Sequence, residues 1–233
     1  LGEGFDLHCG GMDLKFPHHE NERAQAVALG KRFANHWMHN GFVVDAEGEK
    51  MSKSLGNVAN LLDLMEHYDA RAYRMLLLQS HYRGPVSVGQ DNIDAAVKAL
   101  AGLDAFAARA AGAAVAEPAH DVMARFRERM DDDLDTPAAT ALLFDTVRRA
   151  NAALDANDPA AGSLVAAVRQ ICSAVGLVLK ETTEVPSDVM AKATALDAAR
   201  AAKDYAAADA LRAELQAAGW TVETTKQGTT VRR

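Results

Sequence analysis

The sequence has few cysteines, no long apolar run and no excess of positive charge, and each of these absences excludes a class of protein. Two of the 233 residues are cysteine, Cys9 and Cys172, which is too few for a disulfide framework and is typical of a reducing compartment such as the cytoplasm. No stretch approaches the roughly 18 apolar residues of a transmembrane helix, and no signal-peptide pattern opens the chain. The net charge of −7 argues against indiscriminate coating of nucleic acid, although it allows a local basic patch. We therefore expect a cytoplasmic protein with no membrane partner.

The composition changes near residue 68, and the change separates two kinds of architecture. Before it, glycine, histidine, aromatic and β-branched residues occur together as in α/β proteins, with strands predicted over 5–8 and 36–44 and a helix from Pro17. After it, alanine and leucine at helical spacing predict a bundle of amphipathic helices. The helices are predicted over 61–67, 69–81 with Asp69 as the cap, 89–111, 119–131, 137–156 and 160–178.

The last part of the chain forms a separate pattern. A looser stretch around 180–187 is typical of a linker, and two short helices and a hairpin over 220–233 follow it. The two helices are predicted over 188–202 and 204–218. The sequence thus predicts a mostly α fold with a small α/β part and domains over 1–68, 69–180 and 187–233. Because the chain opens on an apparent strand with Leu rather than Met, we expect it to be a fragment.

A pair of glycines follows the first predicted strand. Gly10 and Gly11 allow a backbone to pass close to a ligand, and the carboxylate of Asp13 can accept hydrogen bonds from a ribose diol. The same residues are also compatible with an ordinary glycine turn that Asp13 caps locally. The local pattern leaves both interpretations open.

His18 and Glu22 are four residues apart, so on a helix their side chains lie on one face. An imidazole nitrogen and a carboxylate oxygen can both reach one zinc ion at about 2.0–2.2 Å. Two further ligands would be needed to complete a tetrahedral site. The alternative is a solvated helix start in which the two side chains share a hydrogen bond.

The segment Lys50-Met51-Ser52-Lys53-Ser54 is the most specific element of the sequence. Two lysines in a glycine-flanked loop can follow phosphates while negative charge moves onto a departing pyrophosphate. The alternative for an isolated five-residue match is a solvated basic loop.

Taken together, these motifs resemble the second half of bacterial cysteinyl-tRNA synthetases, which are class I aminoacyl-tRNA synthetases. The segments that carry the resemblance are FDLHCGGMDLKFPHHENERAQA, HWMHNGFVV, GEKMSKSLGN, DARAYRMLLLQSHYRGP and AKDYAAADALRAEL. The resemblance implies the end of a Rossmann-type catalytic domain over 1–68, a DALR-like helical bundle over 69–180 and a small α+β anticodon-binding module over 187–233. The half of such enzymes that carries the HIGH motif has no counterpart in these segments.

The resemblance also implies an activity. Similar enzymes use ATP with Mg²⁺ to convert L-cysteine to cysteinyl-adenylate and then transfer the cysteine to tRNA(Cys), and they are commonly monomers. Zinc in this family is held by two cysteines, a histidine and a glutamate, and the last two correspond to His18 and Glu22. Both cysteines belong to segments upstream of this sequence, so Cys9 is not counted as a ligand. We therefore expect the isolated chain neither to activate cysteine nor to hold zinc tightly.

The remaining site residues follow from the same resemblance. Lys50 and Lys53 would belong to the catalytic KMSKS loop, with Lys53 also contacting the nucleotide. Gly10, Gly11 and Asp13 would form the nucleotide-binding turn, and His8 would be an active-site histidine near the cysteine pocket.

Several residues admit two interpretations. Arg71, Arg74 and Arg83 are either solvated charges, the safer expectation for each alone, or contacts to the tRNA backbone. Trp220 either stacks on a base or covers the helix pair, and His39 either lines the adenosine pocket or packs in its strand. Cys172 is expected to be a buried small hydrophobe.

Two other functions fit the residues. One is the cysteine ligase of mycothiol synthesis, which makes the same adenylate but transfers cysteine to an amino sugar. The other is a non-catalytic tRNA-binding module derived from a synthetase.

Overall fold

A computed structural model describes residues 2–45, 48, 65–180, 186–225 and 228–232. The chain divides into two compact units, Leu1–Leu179 and Lys180–Arg233. It is mostly helical with a few short strands, which confirms the predicted fold class. Within the described ranges, no helix combines the length and the apolar character needed to cross a bilayer.

The first unit opens with a parallel pair of strands. Strand β1 spans Leu7–Gly11 and pairs with β2, His36–Asn40, so that His8 lies beside Trp37. Helix α1, Glu20–Ala28, connects the two strands, as parallel pairing requires a crossover. The predicted helix start at Pro17 agrees with the structure, because Phe16 has extended backbone and the π-helical turn from Pro17 to His19 continues directly into α1.

The predicted strand over 36–44 is two strands. Strand β3, Val43–Val44, is separated from the end of β2 by Gly41 and Phe42, and it pairs in parallel with β4, Val86–Ser87. The break has a tertiary cause: Gly41 donates its N–H to the carbonyl of Tyr82 at 2.7 Å, and a Cβ on Gly41 would lie 2.0 Å from the carbonyl oxygen of Gly84. The first predicted strand, 5–8, is displaced to Leu7–Gly11.

Residues 46, 47 and 49–64 lie outside the described residues. This range contains Lys50, Lys53 and most of the helix predicted over 61–67. The chain is described again from Met65, and residues 65–67 are helical.

Five helices of the first unit follow the predicted order. They are α2 (Ala70–Leu78), α3 (Gln90–Arg109), α4 (His120–Asp131), α5 (Thr136–Asp155) and α6 (Ala161–Ala174). Two of the helix starts are capped by aspartate, since Asp69 accepts from the Arg71 N–H at 2.9 Å and Asp135 accepts from the Ala138 N–H at 3.1 Å.

The core of this unit lies between the helices. Its fully buried side chains include Met75, Leu103, Leu143, Val168 and Ile171. Cys172 is 1% exposed in the same core, and burial raises the pKa of its thiol to about 12. The prediction that Cys172 is a small buried hydrophobe is therefore confirmed.

Arg71 is not the solvated charge that the sequence suggested. Its guanidinium donates to both carboxylate oxygens of Asp104 at 2.9 Å and to the Val178 carbonyl at 2.6 Å. It also donates to Asp69, at 2.7 Å for the shortest contact. The pKa of Arg71 is raised, chiefly by the hydrogen bonds to Asp104. This side chain therefore joins three segments of the unit.

The second unit has a small core of its own. Helices α7 (Ser187–Ala201) and α8 (Tyr205–Ala217) precede an antiparallel hairpin of β5 (Thr221–Thr225) and β6 (Gly228–Arg232). Trp220 is 7% exposed in that core, which supports the packing interpretation over base stacking. Asp197 ties α7 to the hairpin, because its carboxylate accepts from the N–H and the hydroxyl of Thr229 at 2.9 and 2.6 Å.

Candidate functional site

Four histidines and one glutamate meet where β1, β2 and the start of α1 come together. His8 lies on β1 and His39 on β2, while His18 and His19 lie in the turn that leads into α1 and Glu22 lies in the first turn of α1. The parallel register brings Gly10 beside His39. Gly10 and His39 lie near the carboxyl ends of the two strands, where α/β sheets bind ligands, whereas His8 is the second residue of β1.

Glu22 is shared between two imidazoles. Its Oε2 lies 2.9 Å from Nε2 of His8, and its Oε1 lies 3.4 Å from Nε2 of His18. His18 is 62% exposed and Glu22 33% exposed, so both remain reachable from solvent. The structure thus brings together three of the residues singled out in the sequence.

The His18–Glu22 pair fits the geometry of a tetrahedral zinc site. Bonds of about 2.0–2.1 Å at the tetrahedral angle place neighbouring ligand atoms about 3.4 Å apart. The observed separation of Nε2 and Oε1 is 3.4 Å. One such distance is compatible with one edge of a four-ligand set, whereas the three groups whose ligand atoms lie within 4.8 Å of one another are His8, His19 and Glu22.

His19 is a site residue that the sequence reasoning missed. Its side chain is 3% exposed, and its Nδ1 lies 2.9 Å from Nε2 of His39. A ring nitrogen of His19, a ring nitrogen of His8 and a carboxylate oxygen of Glu22 all lie within 4.8 Å of one another. Burial, followed by the charge of His8, lowers the pKa of His19, which favours the neutral imidazole. The signal in the sequence was the doublet of His18 and His19, because adjacent residues at a helix start point in different directions.

Gly10 also has a steric role inside the cluster, which the sequence analysis did not predict. A Cβ at this position would lie 2.6 Å from Cε1 and 2.9 Å from Nε2 of His19. The glycine therefore makes room for the buried imidazole. At Gly11, a Cβ would lie 2.6 Å from Oδ1 of Asp13, so the carboxylate folds over the turn.

Aromatic rings surround His8. The ring centroids of Phe5, Phe33 and Trp37 lie 5.8, 5.2 and 4.9 Å from that of the imidazole, all in edge-to-face orientation. These contacts and the hydrogen bond to Glu22 fix the ring of His8 in one orientation. Cys9 is exposed, and its thiol is not in the group that His8 forms with His19 and Glu22.

Two family models match the chain. Residues 1–98 match the "tRNA synthetases class I (C) catalytic domain" model, and residues 125–180 match the DALR domain. The first match extends beyond the composition change at residue 68 and includes α2, β4 and part of α3.

Curated relatives match nearly the whole chain. The cysteine–tRNA ligase of Kocuria rhizophila is 44% identical over 98% of this chain and 50% of its own length. Those of Halorhodospira halophila and Haemophilus influenzae are 42% and 40% identical over 100% of this chain and 52% and 53% of their own lengths. The chain spans about half the length of the curated relatives it matches.

Solved synthetase structures share the fold. The LeuRS–tRNA–LeuAMS ternary complex from Agrobacterium radiobacter K84 is 20% identical with a TM-score of 0.59, covering 72% of this chain and 25% of that one. Methionyl-tRNA synthetase of Mycobacterium tuberculosis, bound by methionyl-adenylate, is 18% identical with a TM-score of 0.51, covering 74% and 40%. Over nearly its whole length, this chain is similar to cysteine–tRNA ligases, and its first 98 residues match the catalytic domain of class I tRNA synthetases.

Proposed function

We propose that this chain supplies the KMSKS segment, the helical bundle and the carboxyl-terminal module of a cysteine–tRNA ligase. The observation that carries the proposal is 40–44% identity to such ligases over essentially the whole chain. The spacing of His18 and Glu22 agrees with it, since an enzyme that selects a thiol benefits from a zinc site.

The reaction has two steps. The carboxylate of L-cysteine attacks the α-phosphate of ATP, which forms cysteinyl-adenylate and releases pyrophosphate. The terminal ribose hydroxyl of tRNA(Cys) then attacks the activated carbonyl and displaces AMP. Lys50 and Lys53 would stabilise the charge that develops on the pyrophosphate, with Mg²⁺ accompanying the ATP. Asp13, beside Gly10 and Gly11, would accept hydrogen bonds from the ribose of the nucleotide.

His18 and Glu22 would hold zinc together with two cysteines of the half that this chain does not cover. When bound, zinc distinguishes a thiolate from the hydroxyl of serine, which an apolar pocket rejects only weakly. His8 would face the cysteine pocket, with its orientation fixed by the aromatic rings and Glu22. His19 and His39 would support this wall of the pocket as a hydrogen-bonded pair.

The bundle and the carboxyl-terminal unit would contact tRNA(Cys). We propose a monomeric enzyme that acts in the cytoplasm, where tRNA and ATP are available. The cysteine ligase of mycothiol synthesis is not favoured, because the curated relatives that match nearly the whole chain are cysteine–tRNA ligases.

The test is cysteine-dependent exchange of pyrophosphate into ATP. The chain alone is expected to show none, and fusion to the half of the Kocuria rhizophila ligase that it does not cover is expected to restore exchange with cysteine but not with serine. Lys53→Ala should lower the rate of the fused enzyme by at least about tenfold, whereas Lys98→Ala, at an exposed position on α3, should not.

Three results would overturn the proposal. Robust exchange by the unfused chain would show that its own residues form a complete site. A fused enzyme that activates another amino acid, or that charges an amino sugar in preference to tRNA(Cys), would contradict the assigned reaction. A fused enzyme that binds tRNA but never activates cysteine would favour the non-catalytic module.

A further inference from the structure

We infer that His8, His19 and Glu22 form a metal-binding site within this chain, which takes a divalent transition ion such as Zn²⁺. The set differs from the proposed ligand set of His18, Glu22 and two cysteines, with which it shares only Glu22. All three residues lie in the described ranges. The inference goes beyond the ligase reaction and does not depend on it, because it concerns an ion bound by the 233-residue chain alone.

The three side chains bring their ligand atoms close together. One ring nitrogen of His8, one of His19 and one carboxylate oxygen of Glu22 lie within 4.8 Å of one another, and Nε2 of His8 is 2.9 Å from Oε2 of Glu22. Bonds of about 2.1 Å at the tetrahedral angle require ligand atoms to be about 3.4 Å apart. The widest of the three separations therefore has to close by at most about 1.4 Å, which small rotations of the side chains supply.

The ligand types select a class of ion. Two imidazoles and one carboxylate bind zinc in proteins when water takes the fourth position, and imidazole suits other first-row transition ions as well. Mg²⁺ and Ca²⁺ prefer sites that are built from oxygen ligands. The site should therefore bind Zn²⁺ in preference to either of these two ions.

The site is open to solvent on one side and buried on the other. The side chain of His8 is 24% exposed and that of Glu22 is 33% exposed, so an ion and its water ligand can enter there. His19 is buried, and the centroid of its ring lies 4.5 Å from that of His8. The three residues thus combine an entry path, which a metal site needs, with one ligand that is shielded from water.

The buried imidazole is oriented by another histidine. Nδ1 of His19 lies 2.9 Å from Nε2 of His39, which leaves Nε2 of His19 to bind an ion. Metal-binding histidines almost always use their second ring nitrogen for such an outer hydrogen bond, which fixes the tautomer and the orientation of the ring. A Cβ on Gly10 would lie 2.9 Å from Nε2 of His19, so the glycine keeps side-chain atoms away from the nitrogen that binds the ion.

The other two ligands lie on regular elements. His8 is on β1 beside the rings of Phe33 and Trp37, whose centroids lie 5.2 and 4.9 Å from that of its imidazole, and Glu22 is in the first turn of α1. Side chains that packing already holds lose little freedom when they bind a ligand. Three ligands without a thiolate nevertheless bind zinc more weakly than a four-ligand set with two thiolates, so we expect micromolar affinity.

Calorimetric titration of the 233-residue chain with Zn²⁺ measures the affinity and the number of ions bound. We expect a single ion per chain. Loss of an outer-shell partner typically weakens metal binding about 10–100-fold, so loss of a ligand in His8→Asn or Glu22→Gln should weaken it by at least about tenfold. His120→Asn is the matched control, because His120 is an exposed histidine at the start of α4; its affinity for Zn²⁺ should equal that of the wild-type chain.

Three further measurements test the ligand set. His39→Ala removes the outer hydrogen bond of His19 and should weaken Zn²⁺ binding by about tenfold. The visible and near-ultraviolet spectrum of bound Co²⁺ should indicate nitrogen and oxygen ligands, without the thiolate band that coordination by Cys9 would add. Zn²⁺ should raise the melting temperature of the chain, because the ion binds the folded state, whereas Mg²⁺ should not. Melting curves without metal show whether each variant folds.

Each outcome supports or refutes the site. Weaker binding in His8→Asn and Glu22→Gln, with unchanged binding in His120→Asn, supports it. If the wild-type chain binds no Zn²⁺, if Glu22→Gln binds it equally well, or if Co²⁺ shows a thiolate band, the inference is wrong. Binding that is lost in His18→Asn but kept in His8→Asn would place the ion on the exposed pair of His18 and Glu22, which also refutes the site. If His8→Asn does not fold, His39→Ala decides, because its effect requires His19 to be a ligand.

Discussion

Replacing Gly41 with alanine should disrupt the approach of β3 to the loop before β4. The added Cβ would lie 2.0 Å from the carbonyl oxygen and 2.4 Å from the carbonyl carbon of Gly84, with the Arg83 carbonyl oxygen at 3.0 Å. Non-bonded carbon and oxygen atoms stay more than about 3.2 Å apart, so the two backbones must separate by more than about 1 Å. The hydrogen bond from Gly41 to Tyr82 is then lost.

The expected cost combines two effects. Overpacking typically costs about 1–3 kcal/mol, and the lost hydrogen bond adds about 1 kcal/mol. Gly41→Ala should therefore lower the free energy of unfolding by about 2–4 kcal/mol, which corresponds to roughly 5–10 °C in the melting temperature of a domain of this size. Circular dichroism during thermal and urea unfolding measures both quantities.

Gly102→Ala is the matched control. Gly102 is exposed in the middle of α3, and no neighbouring atom lies within 4 Å of the position that a Cβ would take there. Alanine is favoured over glycine in a helix interior by about 1 kcal/mol, so this variant should melt about 2–4 °C higher. The reasoning is refuted if Gly41→Ala unfolds like the wild type, or if both variants shift stability in the same direction.

Two further predictions concern single side chains. A thiol reagent at pH 8 should react rapidly with Cys9 in the native chain and with Cys172 only after unfolding. Because the pKa of Cys172 is about 12 rather than the ordinary 9.0, roughly a thousandfold less of it is thiolate. A second rapidly reacting thiol in the native chain would contradict the burial of Cys172. Hydrogen bonds from the hairpin lower the pKa of Asp197 below its ordinary 3.8, so its contribution to the second unit is complete above that pH and is lost as the pH falls below it. Acid unfolding of the second unit can be followed by the fluorescence of Trp220 in a Trp37→Phe background. Below pH about 4, the stability of the unit should fall less steeply with pH in Asp197→Asn than in the chain that keeps Asp197. An equally steep fall in both would show that this carboxylate does not contribute.

The sequence predicted the helices well because their signals are local. Aspartate caps such as Asp69 and Asp135, and apolar positions one turn apart, need no knowledge of distant residues. Each helix of the bundle was found with ends that differ by a few residues. The hairpin was found from its β-branched runs on either side of Gly228.

The errors lie where distant segments decide the local structure. The single strand over 36–44 failed because Gly41 packs on a loop more than forty residues later, and Arg71 was misjudged because its partner Asp104 is 33 residues away. In the candidate site, the helical spacing of His18 and Glu22 was readable, whereas the pairing of His19 with His39 depends on how α1 lies against β2. No local pattern contains that information.

The contact between Arg71 and the Val178 carbonyl also bears on where this protein can be cut. Val178 follows α6, and Leu177 beside it is 2% exposed in the core. A shortened chain that ended with α6 would lack the Val178 carbonyl, which accepts a hydrogen bond from the Arg71 guanidinium, a side chain that is only 15% exposed. It would also lack Leu177 and so expose the core that Leu177 covers. Excision of the first unit should therefore retain the chain through Leu179, after which the second unit can be removed without touching this junction.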